Sequence, residues 1–92
     1  MASIDDIVNK LLNTARELGI TAEVDEYGRE KIVILNLAED FSIYVSVVCN
    51  NECDVEYAIG DDNFIFKPKQ LDFLKRSVEI IESINNEIIK SP

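Results

Sequence analysis

Four strand-like runs occupy the middle of the chain, residues 20–27, 31–37, 41–49 and 53–59. Hydrophobic and polar residues largely alternate in three of them, whereas residues 31–37 are apolar on both faces, as expected of a central strand. A period of two along four to nine residues is typical of β-strands. The runs are separated by Gly28-Arg29, by Glu39-Asp40 and by Asn50-Asn51, which are residue types that favour tight turns. The pattern therefore predicts an antiparallel meander in which each strand pairs with the next.

The short loops also predict the register of this sheet. Placed as hairpins, they bring Val24 opposite Val33, Leu35 opposite Ile43, Val45 opposite Tyr57 and Val47 opposite Val55. All of these residues then lie on one face. We expect that face to carry the core, because a continuous apolar surface is most stable when it is covered.

Helical periodicity appears at both ends of the chain. Ser3 is a good N-cap with Asp6 three residues later, and Gly19 is a typical left-handed C-cap. Pro68 suits the first turn of a second helix that is predicted to run to about Lys90. Apolar residues recur at helical spacing in this second segment: Leu71, Leu74, Val78, Ile81, Ile84 and Ile88, with Phe73, Ile80 and Ile89 widening the stripe.

The predicted fold is a single α+β domain over residues 1–92, with an antiparallel meander of four or five strands. Both helices are expected on the face that bears Val33 and Val45. The fifth strand would be residues 63–67, whose Phe64 and Phe66 would then point to the core.

Two helices cover one face of such a sheet, so the other face is predicted to remain open. Its centre would be apolar and its edge acidic. The predicted surface comprises Ile32, Ile34, Tyr44, Val48 and Ala58, edged by Glu23, Asp25, Asp54 and Glu56. An apolar centre with a charged rim is typical of a contact surface, and we expect a partner to bind there.

Charge restricts what that partner can be. Eighteen acidic residues stand against nine basic ones, which gives a formal net charge of −9. Such a chain repels nucleic-acid phosphates and anionic lipids and favours basic or neutral partners. Residues 1–6 lack a basic signal-peptide region and no apolar run is long enough to span a bilayer, so we expect a cytoplasmic protein.

The sequence offers little catalytic chemistry. There is no histidine, which is the commonest general base and metal ligand. The three glycines are all assigned to turns and helix ends, which leaves none for a phosphate-binding loop. The sequence thus predicts a protein that is not an enzyme and that holds no metal or cofactor.

Cys49 and Cys53 face each other across the predicted 50–52 hairpin. Opposed strand residues have Cα atoms roughly 4.5–5.5 Å apart, within the range of a disulfide. The reducing cytosol favours free thiols, and a disulfide or half of a zinc site are the alternatives.

Taken together, these features predict a small acidic interaction module that forms a homodimer. It would bind through the outer sheet face or through the second helix. The alternative is an acidic inhibitor or nucleic-acid mimic that occupies a basic site on another protein, because Glu23, Asp25, Asp54 and Glu56 share one surface.

Overall fold

The computed structural model describes residues 3–89 and confirms the predicted α+β arrangement of a helix, four antiparallel strands and a helix. The elements are α1 (Ile4–Glu17), β1 (Thr21–Tyr27), β2 (Glu30–Ala38), β3 (Phe41–Cys49), β4 (Cys53–Gly60), a 3₁₀ turn (Pro68–Gln70), α2 (Leu71–Ile84) and a π-helical turn (Asn85–Ile89). Lys90, the predicted end of the second helix, lies outside the described residues. No helix within residues 3–89 is long and apolar enough to cross a membrane.

The start and end of α1 follow the sequence signals. The Asp6 amide donates to the Ser3 hydroxyl (3.2 Å), and the Ser3 amide donates to the Asp6 carboxylate (3.3 Å), so the predicted capping box is formed. Gly19 adopts a positive φ of 70° just after the helix. Because L-residues rarely adopt that conformation, glycine is the residue that ends α1 at low cost.

The four strands form one sheet in the order β1-β2-β3-β4, and every predicted register pair is confirmed. The pairs include Val24 with Val33, Leu35 with Ile43, Ile34 with Tyr44, Val45 with Tyr57, Val47 with Val55 and Cys49 with Cys53. Since side chains alternate across a strand, this register fixes which residues share a face.

Both helices pack on the predicted face of the sheet. Among residues 3–89, thirteen buried apolar residues form the core there: Ile7, Val8, Leu11, Ala15, Ile20, Val33, Leu35, Ile43, Val45, Val47, Ile80, Ile84 and Ile88. Two polar contacts also join helical segments to the sheet. Lys31 of β2 lies 2.7 Å from the carboxylate of Asp5 in α1, and the Tyr57 hydroxyl donates to the Asn85 side chain at 2.8 Å.

The side of α2 that faces the sheet differs from the prediction. Leu71 and Val78, placed in the predicted stripe, are 50% and 46% exposed. Phe73 instead packs against Phe41 of β3, with ring centroids 5.6 Å apart, and Ser77 is fully buried. The Ser77 hydroxyl donates to the Phe73 carbonyl (2.8 Å), so a polar residue is tolerated in the core.

The sheet has four strands, and the fifth strand that the sequence left open over residues 63–67 does not form. Residues 61–67 form a turn and an irregular segment, and Phe64 and Phe66 are 57% and 41% exposed. The Asp61 carboxylate accepts the amides of Asn63 and Ile65 at 2.9 and 3.0 Å. Because these local bonds use backbone donors that a ladder would need, the turn replaces strand pairing.

Candidate binding surface

The face of the sheet opposite the helices, here called the outer face, is not covered by any described helix. Its centre contains the apolar residues that the sequence placed there. Ile32, Ile34, Tyr44, Val48 and Ala58 are all half-buried, and Tyr44 lies between Ile34 of β2 and Ala58 of β4. The register thus brings the predicted apolar residues together on one surface.

The rim of the outer face is acidic, as predicted. Glu23 pairs with Ile34, Asp25 with Ile32, Asp54 with Val48 and Glu56 with Ser46, and all four carboxylates are on exposed residues. None of the outward-facing residues in the four strands is a lysine or an arginine. The surface therefore presents one sign of charge around an apolar centre.

Glu30 belongs to the same surface but was missed from the sequence. It pairs with Val48 across the β2–β3 ladder and accepts a hydrogen bond from the Ser46 hydroxyl. The predicted 31–37 strand began one residue too late to include it. Strand alternation would have placed Glu30 on the outer face had that boundary been set at residue 30.

Tyr44 connects the apolar centre to the loop that follows β4. Its hydroxyl donates to the Asp61 carbonyl at 3.2 Å, and its ring lies at 84° to that of Phe64 with the centroids 5.1 Å apart. Burial, and then the nearby Asp62 carboxylate, raise the pKa of the Tyr44 hydroxyl. Phe64, expected in the core, is therefore a residue of the outer face.

The backbone of Phe64 is held in an uncommon conformation. Its φ is 62°, a region that costs a bulky L-residue roughly 1–2 kcal/mol. The Phe64 amide donates to the Asp61 carbonyl (2.9 Å), and the Asp61 amide donates to the Ile65 carbonyl (2.9 Å). The amides of Ile65 and Asn63 hold the pKa of the Asp61 carboxyl below its ordinary value.

Gly60 makes this loop possible. Its φ is 135°, and a Cβ at this position would lie 2.7 Å from the backbone of Ile65. Any side chain at residue 60 would therefore force the turn open. The loop that places Phe64 above Tyr44 depends on this glycine and on Asp61.

Two shallow grooves adjoin the Tyr44–Phe64 pair on the outer face. One has a volume of about 260 Å³ and extends towards Glu30, Ser46 and Glu56. The other, of about 330 Å³, extends towards Asp25, Tyr27, Ile32, Ile34 and Asp62. Both grooves can receive apolar or positively charged groups, because they combine aliphatic or aromatic walls with carboxylates.

The cysteine pair lies at one end of the β3–β4 hairpin, away from the Tyr44–Phe64 pair. Cys49 and Cys53 form a disulfide with their Cα atoms 4.0 Å apart. The expectation of free thiols, which rested on a reducing cytosol, therefore does not match the structure. Both residues pack against the core, so the bond closes the hairpin on the helix-covered face.

A second apolar surface lies on α2. Leu71 and Val78 are about half exposed, and the exposed charged residues Lys75 and Glu82 share their side of the helix. The sequence predicted a surplus of apolar residues on this helix. The predicted stripe is right at Ile84 and Ile88, which are buried. It is wrong at Leu71 and Val78, whose place in the core is taken by Phe73 and Ile80, two of the residues predicted to widen the stripe.

No cluster of three or more potential metal-ligating side chains occurs in the part of the chain that the structure describes. Comparison with protein-family models, curated proteins and solved structures gave no match to the chain.

Proposed function

We propose that this protein is a non-enzymatic interaction module that binds a basic protein through its outer sheet face. The observation that carries the proposal is the uncovered apolar centre of Ile32, Ile34, Tyr44 and Val48 inside a carboxylate rim. Contact surfaces combine an apolar centre with a polar rim in this way. The carboxylates favour a partner of opposite charge, which they would also steer into contact.

The apolar centre separates this proposal from the alternative of a nucleic-acid mimic. A mimic would present charge across the whole surface, as a phosphate backbone does. Here Ile32, Ile34 and Val48 occupy the middle of the face, and the carboxylates lie around them. A partner with apolar side chains flanked by lysine or arginine would match both parts.

We propose that self-association uses α2 rather than the outer face. Two copies joined by their outer faces would bring like carboxylates together, which is unfavourable. The exposed side of α2 carries both signs of charge. In an antiparallel pair of helices centred near Val78, Lys75 of one copy would lie near Glu82 of the other. We therefore propose a homodimer through Leu71 and Val78.

Light scattering tests the homodimer with matched variants on the two surfaces. We expect wild type and Ile34→Glu to be dimers and Val78→Glu to be a monomer, with circular dichroism confirming that both variants fold. A wild-type monomer at high concentration would contradict the homodimer. Dissociation of Ile34→Glu, with Val78→Glu still dimeric, would place the dimer on the outer face instead.

Photo-crosslinking in the native host tests partner binding. A photoreactive residue at Ser46 lies on the outer face, whereas one at Asn9 lies on the exposed side of α1. We expect residue 46 to capture another protein through a lysine- or arginine-rich segment, and Ile34→Glu to abolish the product. The proposal would be contradicted if residue 9 gave the same crosslinked product in equal amount, or if the product from residue 46 persisted in Ile34→Glu.

A further inference from the structure

One groove on the outer face joins three aromatic residues to two aspartates. It has a volume of about 330 Å³, and its lining includes Tyr27, Tyr44, Phe64, Asp25 and Asp62. Tyr27 and Phe64 are 60% and 57% exposed, so their rings are accessible to a partner. The groove therefore combines π-systems and negative charge within one small volume.

The aromatic residues form an angular wall. The rings of Tyr44 and Phe64 are 84° apart in orientation with centroids separated by 5.1 Å, so the two rings form a corner. The face of an aromatic ring attracts a cation through its quadrupole when the cation lies within about 6 Å. The corner is stable because the Tyr44 hydroxyl and the Phe64 amide both bond to the Asp61 carbonyl.

The two carboxylates lie on the same face of the sheet and reach the groove from its opposite edges. Asp25 belongs to β1, at one edge, and Asp62 belongs to the loop after β4, at the other. Neither forms an ion pair with another residue between 3 and 89. None of the described lysines and arginines lines the groove, so these residues do not neutralise its charge.

We propose that this groove receives an arginine side chain of the partner protein, an inference that rests on the proposed function. A guanidinium is planar, stacks on aromatic faces and donates several in-plane hydrogen bonds to carboxylates. Tyr44 and Phe64 supply the aromatic faces, and Asp25 and Asp62 supply the acceptors. A lysine offers the charge without the planar shape.

Titration with short peptides, followed by nuclear magnetic resonance, tests this assignment. The probes are acetyl-Leu-Arg-Leu-amide and its counterparts with lysine or citrulline, which is isosteric with arginine but uncharged. We expect the arginine peptide to shift resonances of Tyr27, Tyr44 and Phe64. It should bind roughly twofold to fivefold more tightly than the citrulline peptide, and the lysine peptide should fall between them.

Matched variants assign the effect to the groove. Phe64→Leu removes the ring and Phe64→Tyr retains it, whereas Phe66→Leu changes an exposed phenylalanine that contacts Phe41 instead. We expect a loss of roughly twofold to fivefold for Phe64→Leu and wild-type affinity for the other two. Asp62→Asn should weaken binding more than Asp54→Asn, which alters net charge equally at a rim position outside this groove.

Equal affinity for the arginine and citrulline peptides would overturn the assignment, as would equal losses for Asp62→Asn and Asp54→Asn. These failures differ from failure of the proposed function. If the groove does not select arginine while the residue 46 crosslink is still lost in Ile34→Glu, the interaction surface stands and only its arginine site is wrong. If the crosslink is insensitive to Ile34→Glu, the proposed function fails whichever peptide binds.

Discussion

The two faces of this sheet use similar apolar residues but give them different surroundings. On the helix-covered face, Ile43 and Val45 are fully buried, whereas Ile34 and Val48 on the outer face are only half-buried. The hydrophobic term that stabilises the fold scales with the area removed from water, so the covered face supplies most of it. The outer face retains apolar area that a partner can still bury.

The comparison is sharpest for two isoleucines in adjacent strands. Ile43→Ala should lower the free energy of unfolding by about 2–5 kcal/mol, because it removes buried area and leaves a cavity. Ile34→Ala should cost less, ~1 kcal/mol, because the side chain is only partly buried and its truncation leaves no enclosed cavity. Urea denaturation of both variants measures the difference. Similar losses would mean that the outer face contributes to the fold as the core does.

The disulfide tests how far the covered face depends on a covalent bond. Cys49 and Cys53 are four residues apart, so the bond closes a short loop and should contribute roughly 2 kcal/mol through unfolded-state entropy. Reduction should lower the urea midpoint without unfolding the protein. The double variant Cys49→Ser/Cys53→Ser should not respond to reductant. Complete unfolding on reduction would show that helix packing alone does not hold this face.

Two tyrosines provide the finest comparison. Tyr57 on the covered face donates to Asn85, and Tyr44 on the outer face donates to the Asp61 carbonyl. Tyr57→Phe and Tyr44→Phe should each cost about 1 kcal/mol near neutral pH, the usual contribution of one hydrogen bond. Urea denaturation measures both losses. A negligible loss for Tyr44→Phe alone would show that the loop after β4 adds little to stability.

The hydroxyls of Tyr44 and Tyr57 also predict a loss of stability at alkaline pH. Burial raises the pKa of both hydroxyls, so the folded state binds their protons more tightly than the unfolded state does. The contribution of these two hydroxyls to the free energy of unfolding is therefore fully present below pH ~10. It is lost as the pH rises through their folded-state pKa values. Each phenylalanine variant should show a smaller fall in urea denaturation at alkaline pH, because it lacks one of the two titrating groups.

The strand registers were predictable because each hairpin loop is short and side chains alternate between a buried and an open face. A shift of one residue would have moved Val33 and Val45 from the core to the outer face, so the short loops and the alternation in β1, β3 and β4 together favour the observed pairing. The outer-face residues followed from the same alternation. Strand alternation alone fixes the face on which these residues lie, so their positions can be predicted without knowing any tertiary contact.

The orientation of α2 could not be predicted, because its apolar residues form two overlapping stripes. One passes through Leu71 and Val78, the other through Phe73 and Ile80. Helical periodicity does not choose between them. The choice is made by tertiary contacts, with Phe73 against Phe41 and Asn85 against Tyr57. Ser77 then lies in the core, although its residue type predicts a surface position.

The contact between the rings of Tyr44 and Phe64 could not be predicted from sequence patterns either. Residues 63–67 alternate as a strand does, and strand propensity alone favours a fifth strand there. The outcome depends on Gly60, which leaves room for the turn, and on Asp61, whose carboxylate accepts hydrogen bonds from the amides of Asn63 and Ile65. Asp61 marks a turn in sequence, but the positive φ of Phe64 has no signature there, since phenylalanine rarely adopts it.

The meander order of the sheet has a kinetic consequence. Every strand pair joins neighbours in the chain, so each pairing closes only a short loop. Chains rich in such local contacts fold faster than those that must first bring distant segments together. The helices instead make long-range contacts, and the residues farthest apart in sequence that share the core are Ile7 and Ile88. We therefore expect docking of the two helical ends, which closes the longest loop, to carry the largest loop-closure entropy when the sheet acquires its covered face.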